Sequence, residues 1–147
     1  LSISDSLSID GSSAVGVVIT GDVNGDDIRL PGTYITDVSA SFGGTAGASG
    51  DLLDDNSRVL NFVGPTSGPV DGLTLTGLTI TGGRAMGAFG NGGGVRFFSR
   101  GTLEISDSVV SGNSAIDRGA GGAIYSNSGD VLLVNSTLSG NISDGNG

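Results

Sequence analysis

The 147-residue chain contains no cysteine, histidine, lysine or tryptophan. Without cysteine there is no disulfide staple, although that absence does not name a compartment. The lack of histidine removes imidazole acid–base chemistry. Serine is abundant, but neither histidine nor lysine is present to activate it as a nucleophile. Basic charge is equally scarce: six arginines face 15 acidic residues, for a formal net charge of −9. Such a field repels phosphate backbones and anionic membrane surfaces, and no basic stripe counters it, so neither nucleic acid nor membrane insertion is expected. Apolar runs stay well short of the roughly 20 residues that span a bilayer. No stretch follows a 3.6-residue period, which argues against helices.

What the chain does have is glycine and a repeated phrase. Glycine fills 29 positions, well above the usual share of about 7%. Aligning Leu73, Leu103 and Val131 as first positions brings Leu75, Ile105 and Leu133 to the third and Ile80, Val110 and Leu138 to the eighth. Gly77, Asp107 and Asn135 share the fifth position, Gly82, Gly112 and Gly140 the tenth, and Gly83, Asn113 and Asn141 the eleventh. The copies are 30 and 28 residues apart. The N-terminal "LSISDSLSIDG" fits the same frame through Ser6 and then runs one residue long.

Each copy reads as three short strands. "LTLT", "LEIS" and "VLLV" are the first, "LTIT", "SVVS" and "STLS" the second, and "GGGVRFF" and "GGAIY" the third. Alternation or β-branched side chains mark the first two, and glycine leads the third. The corner positions hold Gly, Asp and Asn, which tolerate a left-handed backbone. Three strands and three corners in about 28 residues describe one rung of a parallel β-helix, whose inward side chains are buried only by stacking on the next rung.

The expected fold class is therefore all-β, a right-handed parallel β-helix of about five rungs, with right-handedness following from parallel crossovers. A β-sandwich of hairpins is the rival, but it does not explain the repeat register. Residues 1–147 form one solenoid segment, 73–147 its regular repeats. "VGVVITGD" (15–22) and "NSRVLNFVG" (56–64) are read as strands of two further rungs. Residues 23–55 break the frame and are expected to leave the solenoid as an inserted loop. The chain starts at Leu1 without a signal-peptide core and stops in mid-rung. It is accordingly read as a piece of a longer solenoid, with end-to-end stacking of copies into a filament as the alternative.

"LTLTGLTITGG", "GNGGGV", "LEISDSVVSGNSA", "GGAIY" and "LLVNSTLSGN" together resemble the repeats of bacterial polymorphic outer-membrane proteins and autotransporter passengers, which also occur in large RTX-type surface proteins. The resemblance covers most of the chain outside 23–55 and implies a right-handed parallel β-helix in an exported protein, with adhesion and surface-layer roles common. The GGxGxD calcium nonapeptide of RTX proteins is absent, and its chemistry is not carried over. An acidic, lysine-free surface suits the same extracellular or cell-surface setting.

Catalytic chemistry is sparse in the sequence. Hydrolysis on a β-helix calls for carboxylates on adjacent rungs, about 5–9.5 Å apart, whereas Asp107 has Gly77 and Asn135 at its equivalent positions and Glu104 has Thr74 and Leu132. The segment is read as a non-enzyme. Asp22, Asn24 and Asp26 alternate as in the first half of an EF-hand loop, and Asp51, Asp54 and Asp55 from the far end of the insertion would complete an oxygen cage for calcium. Asp27 and Thr33 break the EF-hand pattern, so a solvated acidic turn is the preferred reading and calcium the alternative. Ranks of Thr at 74, 76, 79 and 81 do not continue into the next copy, which disfavours ice binding. Asn113 and Asn141 are expected to form a structural corner ladder. The functional expectation is a rigid structural or adhesive scaffold, whose partners are neighbouring rungs of the parent chain or other copies. The alternative is a carbohydrate-binding or polysaccharide-processing β-helix that engages surface glycans beside Arg96 and Arg100.

Overall fold

A computed structural model describes residues 2–3, 7–20, 27–29, 35–37, 58–65, 70–86 and 90–145. Among these residues there is no helix. Four parallel sheets are built from strands that recur down the chain. The first sheet joins β2 (Leu7–Asp10), β7 (Leu73–Thr76), β11 (Thr102–Ser106) and β15 (Asp130–Val134). The second joins β3 (Val17–Thr20), β8 (Leu78–Thr81), β12 (Val109–Ser111) and β16 (Thr137–Ser139). A third holds β9 (Arg84–Met86), β13 (Ser114–Ile116) and β17 (Ile142–Ser143), and a fourth β1 (Ser2–Ile3), β6 (Leu60–Val63), β10 (Val95–Phe98) and β14 (Ile124–Ser126). From β7 onward the chain visits the first, second, third and fourth sheets in turn and then begins again.

Register follows the sequence repeat in the regular copies. Leu103 pairs with Leu73 and Val131, Ile105 with Leu75 and Leu133, and Val110 with Ile80 and Leu138. Because successive strand residues face opposite sides, these pairings pile apolar side chains into continuous ladders. Leu73, Leu75, Ile80, Leu103, Ile105 and Val110 are fully buried. The fourth sheet adds Leu60 and Val95, together with Phe62 and Phe97, whose rings stack with centroids 5.2 Å apart. Each such side chain contributes roughly 1.5–3 kcal/mol on leaving water.

The corners carry the expected backbone. Gly77, Asp107 and Asn135 have φ of 67°, 49° and 48°, and Gly82, Gly112 and Gly140 have 67°, 72° and 56°. Asp and Asn hold the left-handed conformation where the first copy has glycine, so the corner geometry is kept across a change of residue.

Three expectations need correction. Among the described residues the first two regular copies have four strands each and the last has three, because the segment after the second corner forms β9, β13 and β17. These pieces of two or three residues are too short and too mixed in polarity to show alternation. The N-terminal frame is also displaced: Leu7, not Leu1, pairs with Leu73, while Ser2 pairs with Asn61 in the fourth sheet. "LSIS" and "LSID" have the same alternation, and pairing partners decide between them. Finally, the strands within 15–22 and 56–64 fall in one passage of the chain through the sheets, between β2 and β7, not in two. The 23–55 stretch lies between them, and its described residues form an antiparallel pair, β4 (Asp27–Arg29) with β5 (Ile35–Asp37), outside the parallel sheets.

Glycine has a second task where the third and fourth sheets approach. A Cβ on Gly93 would overlap the carbonyl oxygen of Ser114 and lie 2.7 Å from that of Gly122, both backbone atoms. No neighbouring side chain is available to yield. Gly93→Ala is therefore expected to cost at least about 3 kcal/mol in urea unfolding. Gly16→Ala, at φ 66° with nothing within 4 Å, is expected to cost only the backbone strain of about 1–2 kcal/mol. Equal losses would contradict the close approach.

Candidate functional site

Two corners are closed by polar side chains that stand in for backbone partners. At the corner between the second and third sheets, the Oδ1 of Asn113 accepts from the Gly83 N–H at 2.9 Å, and its amide donates towards the Ile80 and Ser111 carbonyls, each at 3.1 Å. The motif recurs one copy later. The Oδ1 of Asn141 accepts from the Asn113 N–H and side-chain amide, both at 3.0 Å, and its own amide donates to the Val110 carbonyl at 2.8 Å. Asn113 is wholly buried, so this ladder satisfies groups that water does not reach. The two asparagines named from sequence thus occupy equivalent corners and are bonded to each other.

Sequence reading passed over the matching serines. The Ser108 hydroxyl accepts from the Leu78 N–H at 3.0 Å and donates to the Ser106 carbonyl at 2.6 Å, while the Ser136 hydroxyl accepts from the Ser108 N–H at 3.1 Å. The signal was available in the repeat, since Ser108 and Ser136 follow the corner residues Asp107 and Asn135 in both copies. A third device closes the corner after β13, where Asp117 and Arg118 both have positive φ. Their N–H groups donate to the two carboxylate oxygens of Asp144 at 2.7 and 2.9 Å.

A different chemistry gathers on the outer face of the fourth sheet. Arg96 pairs in register with Asn61 on one side and Tyr125 on the other. Its guanidinium donates to the Asn61 side-chain oxygen at 3.0 Å and lies 4.8 Å from the centroid of the Phe98 ring, within the range of a cation–π contact. Arg58 sits at the start of β6, where its Nε donates to the Asn91 and Gly92 carbonyls at 3.0 Å each. Burial, and then the like charge of Arg96, push the Arg58 guanidinium below its ordinary pKa. Phe98 continues into a shallow open groove of about 170 Å³, lined by Gly64, Pro65, Ser99, Arg100 and Ser128. Arg96 and Arg100, singled out from sequence, therefore meet the two ends of one surface through Phe98. Arg58 was not legible as part of it, because its approach to Arg96 spans 38 residues of chain.

Glu104 pairs in register with Thr74 and Leu132, and Asp107 accepts a hydrogen bond from the Asn135 amide. Asp22, Asn24, Asp26, Asp51, Asp54 and Asp55, the candidate calcium ligands, lie outside the described residues. Among the described residues no group of three or more acidic side chains is placed to hold a metal ion. Comparison with protein-family models, curated proteins and solved structures finds no match to the chain.

Replacing Asn113 by Leu strands the Gly83 N–H and the Ile80 carbonyl in a dry corner, at about 1–3 kcal/mol for each unsatisfied group. Asn113→Leu is expected to lower stability by about 3 kcal/mol. Asn141→Leu, in a partly exposed copy of the corner, is expected to cost about 1 kcal/mol. Urea unfolding of both variants checks the order, and unchanged midpoints would show that these corners do not depend on the amides.

Proposed function

We propose that this chain is a segment of a right-handed parallel β-helix that serves as a rigid scaffold in a large extracellular or cell-surface protein. The observation that carries the reading is the way each copy completes its neighbour. Leu103, Ile105 and Val110 have strands on both sides and are fully buried. Val131, Leu133 and Leu138 hold the same positions on β15 and β16, the edge strands of their sheets, and remain 40%, 43% and 42% exposed. A core finished only by adding another copy of the same pattern belongs to a quasi-one-dimensional solenoid. The recurring register supports that reading, since each copy meets the same strand pairing and the same corner spacing as the one before it.

In this reading the mechanism is mechanical. Parallel strand bonds and buried ladders run along the solenoid axis, so length is set by the number of rungs and stiffness by their continuous packing. An acidic, glycine-rich and lysine-free surface suits exposure outside the cell, where the outward faces and the 23–55 insertion present chemistry for adhesion.

Duplicating residues 102–129 in place tests the proposal. One added copy is expected to fold, to lengthen the particle by about 4.8 Å in small-angle scattering, and to raise the urea midpoint. Failure to lengthen, or loss of a cooperative transition, would overturn the solenoid reading.

A further inference from the structure

We infer that the outer face of the β6–β10–β14 sheet binds an acidic saccharide, a chain of sugars carrying carboxylates, across Arg58, Arg96, Phe98 and the groove beside Arg100. In a chain with 15 acidic residues and six arginines, Arg58 and Arg96 lie close enough to repel. Among the described residues neither is bonded to a carboxylate: Arg96 meets an amide oxygen and a ring, and Arg58 two backbone carbonyls. A guanidinium has five N–H donors. Among the described residues the Arg96 bond to Asn61 engages one of them and Arg58 bonds through its Nε–H alone, which leaves both with donors of the fork geometry that matches a carboxylate.

The surroundings select the rest of the ligand. Phe98 and Tyr125 are partly exposed rings, and the apolar face of a pyranose packs on such a surface. Asn61, Asn127, Ser128 and the Tyr125 hydroxyl add short polar groups suited to sugar hydroxyls. Asn127 and Ser128 are exposed and bonded to each other through the Asn127 amide at 3.2 Å. The surface is shallow and open rather than a closed pocket, and it runs along the strands from Arg58 past Arg96 and Phe98 to the groove. That form fits an extended polymer lying on a face more than a small molecule enclosed in a cavity. The fixed positions of Arg96 and Phe98 on a β-strand, with Arg96 held by Asn61, keep the ordering cost of binding low. The side chains of this face stand together whether or not the chain is a segment of a solenoid scaffold.

Calorimetric titration with hexagalacturonate, cellohexaose and hexaglutamate tests it. Hexagalacturonate is expected to bind at least about tenfold more tightly than the other two, since the neutral sugar lacks the carboxylates and the peptide lacks the ring faces. Arg96→Gln and Phe98→Leu, checked for unchanged urea midpoints, are each expected to weaken hexagalacturonate by about tenfold or more. Absence of hexagalacturonate binding, equal binding of hexaglutamate, or full affinity in folded Arg96→Gln would overturn the proposal. Should either variant fail to fold, amide and guanidinium NMR shifts of the unaltered protein decide. Changes on adding hexagalacturonate are expected at Arg58, Arg96 and Tyr125, and changes confined elsewhere would overturn it.

Discussion

The hydrogen bond between a strand and its counterpart about 28–30 residues further on is the constraint from which the rest of this molecule follows. Parallel pairing leaves no freedom of phase, because a one-residue slip would turn every inward Leu, Ile and Val outward. Leu73, Leu103 and Val131 must therefore lie on one line, as must Leu75, Ile105 and Leu133. Once that line exists, each corner has to deliver the chain to the next strand in the same register in every copy. Changes of length are accommodated away from the shared strands, as in the segment between Asp10 and Val17, which replaces the single residue Gly77 of the next copy.

Corners are solved by more than one residue. A left-handed backbone is reached by Gly77, Asp107 and Asn135 at one corner, and by glycines throughout at the next. At those corners the N–H of the turning residue meets a carbonyl of the next copy, as from Gly77 to Ser106 and from Gly112 to Ser139, whereas the N–H of the residue after it meets a side chain. Serine meets the first corner and asparagine the second, each reaching back to the copy before it. The polar side chains are thus part of the same axial bonding as the strands. They remove the cost that a buried, unpaired N–H would impose.

Such an arrangement divides the labour between the two sides of every strand. Inward positions are held to apolar residues by stacking, and corner positions to those few residues that turn or cap. Outward positions are constrained by neither, which is why one register line runs Thr74, Glu104 and Leu132 while another runs Asn61, Arg96 and Tyr125. A scaffold of this kind carries its chemistry on a lateral face, and in this chain Arg96, Phe98 and Tyr125 lie together on one of them. The scaffold reading and the saccharide reading are compatible for that reason: one concerns the inside and the axis, the other the outside.

The repeated phrase alone determined the ladder positions in 73–140 and the identity of the corner residues, because stacking demands the same residue class at each returning position and so writes itself into the sequence. Asn113 and Asn141 were legible on the same ground. The third-sheet strands were not, since Ser114–Ile116 and Arg84–Met86 are shorter than any alternation that would mark them. The start of the chain was ambiguous, because "LSIS" and "LSID" have identical patterns and only pairing with Asn61 or Leu73 tells them apart. The meeting of Arg58, Arg96 and the Phe98 groove likewise depended on tertiary structure. Outward residues leave no periodic trace, and their grouping is fixed by which strands become neighbours in space.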